Sequence, residues 1–102
     1  MFEPKIKPFK CSARFVSSVP LTHDLWEFEF KSDGPALFMP GQYAKLIIPG
    51  VSGPRSYSMS NIANRDGCWF FQIKRVPRGE ATSVLFERMK EGQLITIDGP
   101  YS

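Results

Sequence analysis

An all-β fold, a small closed barrel of six strands with one short helix, is what this sequence predicts, and three observations predict it. Apolar and polar residues alternate with period two in several short runs. Clusters of Gly, Pro, Asn and Asp punctuate those runs. Only one stretch, close to the end of the chain, changes to a helical period. Closing the strands on themselves removes the edges that an open sheet would expose.

Residues 1–9, with two prolines, read as an entry linker, and residues 10–102 as one domain. From Lys10 the pattern alternates, with Cys11, Ala13, Phe15, Ser17 and Val19 on one face, until Pro20 stops the first strand. Trp26, Phe28 and Phe30 alternate with Glu27, Glu29 and Lys31, the signature of a half-buried antiparallel strand. Ser32-Asp33-Gly34-Pro35 turns the chain, and Met39-Pro40-Gly41-Gln42 leads into a third strand over 43–48. Pro49-Gly50 and Gly53-Pro54 bracket the link to a fourth, and Asn64-Arg65-Asp66-Gly67 turns into a fifth over 69–76. Ala81, Val84, Leu85 and Met89 then fall at helical spacing. Arg88 and Lys90 are expected in the last turn of that helix, with Gly92 at the residue after its end. Leu94 to Ile97 is the sixth strand, before Asp98-Gly99-Pro100.

Composition sets the bounds for function. The 102 residues are 42% hydrophobic and carry a net charge of +3, compatible with a packed core and with phosphate-bearing ligands or acidic partners. No apolar run reaches the roughly 20 residues of a membrane helix, and the first residues do not form a signal peptide, so the expected location is cytoplasmic. Cys11 and Cys68 form no C-x-x-C pair and His23 is the one histidine, so no metal site is expected.

The fourth strand holds "RSYS", residues 55–58. Period two puts Arg55 and Tyr57 on one face and Ser56 and Ser58 on the other. A guanidinium forks onto phosphate oxygens, a tyrosine ring offers a flat stacking surface, and a serine hydroxyl can reach a ring-edge heteroatom. Such a set suits a ligand with a planar ring and a phosphate, a flavin or a nucleotide. Gly79-Glu80-Ala81-Thr82-Ser83 opens the helix, whose free N–H groups form a second anion-binding element. Glu80 stands against this, because its charge repels phosphate if the side chain turns toward the site.

"RSYSMSN" resembles the R-x-Y-S-x-x-N/S flavin motif of the ferredoxin–NADP reductase superfamily. The flanking segments "LTHDLWEFEF", "PGQYAKL", "FQIKRVPRGEATSVLFE" and "DGPYS" fit in the same order, and the resemblance runs from about Lys10 onward. Within that superfamily the chain is similar to the reductase components of bacterial multicomponent oxygenases.

The resemblance implies a six-stranded antiparallel Greek-key barrel with one capping α-helix, binding FAD. By it, Arg55 would bind the FAD pyrophosphate, with Ser56 beside it in the motif, and Tyr57 would pack against the isoalloxazine. Ser58 would lie near N5, where hydride arrives, making Tyr57 and Ser58 the residues at the reacting ring. The backbone of Gln72, Ile73 and Lys74 would line the ring and ribityl chain. Gly79, Glu80, Ala81 and Thr82 would hold the pyrophosphate at the helix start, Thr82 standing where the family usually has serine. Such reductases pass electrons from NAD(P)H through flavin to an iron–sulfur centre.

The resemblance also implies partners: a nucleotide-binding domain, a ferredoxin domain or protein carrying a [2Fe–2S] cluster, and an oxygenase component. Neither of the first two is found in these 102 residues, and Ser102 stands where the family has glycine. The expectation is therefore one domain of a larger enzyme, which binds flavin but by itself oxidises NADH poorly. Three alternatives remain at this level: FMN in place of FAD, a flavin-free docking barrel, and a barrel for single-stranded nucleic acid.

Overall fold

A computed structural model describes residues 6–102, so the first five residues of the expected linker lie outside the described residues. Six strands and one helix follow: β1 (Phe9–Pro20), β2 (Leu25–Ser32), β3 (Tyr43–Ile47), β4 (Arg55–Ser58), β5 (Cys68–Lys74), α1 (Glu80–Glu87) and β6 (Leu94–Tyr101). All pairings are antiparallel, in the spatial order β4-β3-β6-β1-β2-β5, the non-sequential order of a Greek key. The two ends of this sheet, β4 and β5, approach each other through one bridge at Met59 and Phe71, with the Ser60 N–H donating to the Phe70 carbonyl at 2.8 Å. The barrel is nearly closed, with a seam there.

Alternation explains the core. Phe28 and Phe30 of β2, Trp69, Phe71 and Ile73 of β5, Leu46 of β3 and Ile97 of β6 all point inward and are fully or almost fully buried. Trp69 is anchored as well as buried. Its indole N–H donates to the Ser32 hydroxyl at 3.0 Å, and that hydroxyl donates onward to the Gly34 carbonyl at 2.9 Å. The helix adds Ala81, Val84 and Leu85 to the core, while Phe86 packs on Trp26 and Phe28 with centroids 4.7 and 5.2 Å apart.

Three sequence expectations are corrected. In β1 the alternation does not run through to Val19: a bulge between Phe15 and Ser17 inserts one residue, and beyond it Ser17 and Val19 face solvent. The helix ends at Glu87 with Arg88 as its C-cap, so Arg88, Lys90 and Gly92 are not its last turn and terminator. Gly92, at φ 85°, belongs instead to the turn into β6, where its N–H donates to the Phe15 carbonyl at 2.8 Å. Finally, β6 runs on through Asp98 and Gly99, because these pair with Lys10 and Phe9 of β1. A Cβ at Gly99 would come within 3.0 Å of the Ala44 Cβ, so a side chain there would push β6 and β3 apart.

Gly67 is the tightest turn position. At φ 78°, its missing Cβ leaves room for the backbone carbonyls of Ser32 and Gly34, the second of which would be only 2.5 Å away. Gly67→Ala is expected to lower unfolding free energy by about 2–4 kcal/mol, the sum of left-handed strain and displaced backbone. Urea denaturation measures it, and a loss below half of the lower figure would mean the turn relaxes freely.

Candidate functional site

The expected site residues gather at the seam. β4 is hydrogen-bonded along one edge to β3, in the register Tyr43–Ser58, Ala44–Tyr57, Lys45–Ser56 and Leu46–Arg55. Pairing on its other edge stops at the Met59–Phe71 bridge. Arg55 and Tyr57 therefore share the face of the buried Ala44 and Leu46, and Tyr57 is half-buried against the core. Ser56 and Ser58 share the outer face with Lys45 and Tyr43. A ligand that touches Arg55, Tyr57 and Ser58 together must lie along the free edge of this strand, reaching both faces.

Burial pushes the Tyr57 phenol above its ordinary range, and the neighbouring Arg55 charge pulls the other way. The ring stays neutral at physiological pH. Across the seam, Ile73 is buried while Gln72 and Lys74 point outward. The Gln72 amide donates to Glu27 at 3.2 Å, and Lys74 lies 3.9 Å from Asp24. Their side chains thus turn toward β2 and its flank, leaving the backbone of 72–74 as the part that faces the seam.

The helix start completes the corner. Gly79 is the N-cap, with extended backbone and no side-chain cap bond. Ser83 already donates to the Gly79 carbonyl at 3.0 Å. The N–H groups of Glu80, Ala81 and Thr82 thus have no acceptor among the described residues, a cluster of partial positive charge at the end of the helix dipole. Arg78, just before it, takes the left-handed conformation at φ 61° that residues other than glycine rarely adopt.

Thr82 does not turn its hydroxyl to this opening. The side chain is buried, accepts from the Val76 N–H at 3.2 Å and donates to the Val76 carbonyl at 3.1 Å. It fastens the 76–79 turn to the helix, so what Thr82 offers an anion is its backbone N–H.

Arg55 reaches the same corner. Its Nη1 donates to the Ser52 carbonyl at 2.7 Å, which orients the guanidinium, and its Nη2 lies 3.6 Å from Glu80 Oε1. The same carboxylate oxygen accepts from the Ser52 N–H at 2.5 Å and from the Ser52 hydroxyl at 2.9 Å. These donors, Ser52 before Arg55, hold the Glu80 carboxyl below the ordinary carboxylate range. Ser52 had no signal in the sequence beyond its place in a Gly-Pro turn. Tyr43 was also missed. It stands beside Ser58 in the strand register and its ring packs on Tyr101 at 5.7 Å, with the Lys45 ammonium 4.6 Å over the Tyr101 ring.

Residues 12–102 match the family described as the oxidoreductase FAD-binding domain. The chain is 42% identical over 102 residues to a ferredoxin–NAD(P)(+) reductase of Metapseudomonas resinovorans, an alignment covering 97% of this chain and 30% of that protein. It is 35% identical over 94 residues to the electron transfer component of a xylene/toluene monooxygenase of Pseudomonas putida, covering 92% of this chain and 27% of that protein. Among solved structures, the ferredoxin reductase in carbazole 1,9a-dioxygenase superposes with a TM-score of 0.91 at 40% identity, over 97% of this chain and 30% of that one. The chain thus spans less than a third of the length of these relatives.

The chemistry of the donor set fits FAD. A guanidinium and three unpaired helix N–H groups share one corner, as two linked phosphates require, and a half-buried phenol ring and a free-edge serine lie further along the strand. Thr82→Val is expected to lower stability by about 1–3 kcal/mol, because the Val76 N–H loses its acceptor while the Val76 carbonyl keeps only the Gly79 N–H, whereas Thr82→Ser stays near wild type. Equal stability of all three proteins in urea would mean that Thr82 does not fasten the turn.

Proposed function

The chain belongs to the oxidoreductase FAD-binding domain family, and from that premise we propose that residues 10–102 form the flavin-holding domain of a cytoplasmic, NAD(P)H-dependent reductase, led in by residues 1–9. The observation that carries this reading is the convergence of Arg55 and the open start of α1 on one corner, at the end of a strand edge bearing Tyr57 and Ser58. Bound FAD supplies the capacity to take two electrons together and release them singly.

The work of the protein is positional. Arg55 Nη2 and the N–H groups of Glu80, Ala81 and Thr82 would hold the diphosphate, and Gly79 lets the turn before them pack closely, since a Cβ there would meet the Thr82 hydroxyl at 2.8 Å and the Val76 carbonyl at 3.0 Å. Tyr57 covers one side of the isoalloxazine and shields it from water. Ser58, on the outer face of β4, would offer its hydroxyl as a hydrogen-bond donor to the flavin near N5. The backbone of Gln72, Ile73 and Lys74 would line the flavin ring and ribityl chain from across the seam. Ser56 keeps the outer face of β4 polar beside the diphosphate.

The relatives point to the wider setting. One is named a ferredoxin–NAD(P)(+) reductase and another the electron transfer component of a monooxygenase. On that analogy the domain works beside a nucleotide-binding domain, and its electrons leave through a [2Fe–2S] ferredoxin domain or protein to an oxygenase component. FAD is preferred to FMN because two phosphate-binding elements, Arg55 and the helix start, stand side by side.

Arg55→Ala is expected to raise the FAD dissociation constant about 10- to 150-fold, which is ~1.5–3 kcal/mol for a charge-assisted hydrogen bond. Fluorescence titration of FAD into both proteins reads this directly, and equal affinities would remove Arg55 from the site. Ser58→Ala is expected to keep FAD yet slow flavin reduction by NAD(P)H in the full-length reductase. Stopped-flow traces indistinguishable from wild type would take Ser58 away from the reacting edge.

A further inference from the structure

We propose that the Glu80 carboxylate is an internal competitor of the cofactor: it engages the Arg55 guanidinium, one of the donors that the FAD diphosphate needs, and it must release that guanidinium when FAD binds. The proposal rests on the FAD-binding reading above.

Three donors converge on one oxygen of this side chain. Glu80 Oε1 accepts from the Ser52 N–H and hydroxyl, and the Arg55 guanidinium stands 3.6 Å away. Glu80 is also the first residue of α1, at the mouth of the three unpaired N–H groups. A carboxylate and a phosphate make the same demands of such a corner, namely negative oxygen, charge-assisted donors and the positive end of a helix. One element of this corner, the Arg55 guanidinium, is thus engaged by the protein's own anion.

That arrangement also gives Glu80 a structural role. Gly79 provides no side-chain cap, so an acidic residue in the first turn is the group that balances the helix dipole. Its grip on Ser52 also ties α1 to the 49–54 turn, where Gly50 and Gly53 hold left-handed φ values of 86° and 72° on either side of Ser52. The Ser52 carbonyl in turn orients Arg55. Glu80 thus holds the corner together and opposes the diphosphate that is to enter it. Arg55 and Glu80 are both part-exposed, at 37% and 48%, so the contact is of the kind that exchanges rather than locks.

Glu80→Gln keeps the size and hydrogen-bonding capacity of the side chain and removes the charge. Titrating FAD into this variant is expected to give a dissociation constant about 3- to 10-fold below that of wild type, the effect of deleting one partly screened like charge next to a diphosphate. The melting temperature of the flavin-free variant is expected to fall at the same time. Glu87→Gln is the control for net charge. Glu87 lies in the last turn, paired with Arg75, and its neutralisation should leave FAD affinity within about twofold of wild type.

The outcomes separate. Wild type binding FAD while Glu80→Gln binds equally or more weakly would overturn the competition and make Glu80 a support for the site. An equal gain in Glu80→Gln and Glu87→Gln would reduce the effect to overall charge and overturn it too. FAD bound by Glu80→Gln but not by wild type would be the competition in its strongest form. FAD bound by neither would overturn both this proposal and the FAD-binding reading on which it rests.

Discussion

β4 and β5 meet through one bridge, Met59 with Phe71, and that limited closure is what the rest of the structure depends on. Everywhere else the barrel pairs strand with strand around an apolar interior of phenylalanines, isoleucines and Trp69. At the seam a strand edge is left over, and an unpaired edge with polar side chains on both faces is a place where something else can bind. Complete pairing of β4 with β5 would remove the edge that Arg55, Tyr57 and Ser58 share.

The helix has to be understood together with that seam. Its apolar face, Ala81, Val84 and Leu85, fixes α1 to the barrel, and Phe86 wedges against Trp26 and Phe28. At its far end Arg75 of the β5 exit pairs with Glu87 and lies over the Phe86 ring. At its near end Thr82 fastens the turn that follows β5. The open N-terminus is thereby held beside Arg55, so the corner proposed for phosphate is set by core packing. Arg78, in a left-handed conformation one residue before Gly79, shows how tightly the chain is bent to bring the helix there.

Much of this was legible in the sequence, for a physical reason. Alternation in "WEFEF" and "WFFQIK" is dictated by a single core, so the strands could be read locally, whereas their Greek-key order was implied only by the resemblance to the reductase superfamily. The bulge after Phe15 could not, because it depends on how β1 meets β2. Period two put Arg55 and Tyr57 on one face, as found. Which face that is follows from their pairing with Leu46 and Ala44, and local spacing does not carry it. The contact of Glu80 with Ser52 spans 28 residues and exists only after the barrel has formed. Thr82 was legible as a hydroxyl at a helix start, but its inward turn to Val76 was not. The early end of α1 was hidden as well, since Met89 continues the apolar stripe and still packs on the core beyond the helix.

The central claim is that one ligand lies along the seam, with its phosphates at the start of α1. An amide NMR titration of the 102-residue protein with FAD tests it most directly. The account predicts that shifts concentrate at Arg55–Ser58, at Gln72–Lys74 and at Glu80–Thr82, while Ser12 and Thr96, on the β1–β6 pairing away from the seam, stay in place. Shifts confined to other strands, or no shifts at saturating FAD, would contradict it.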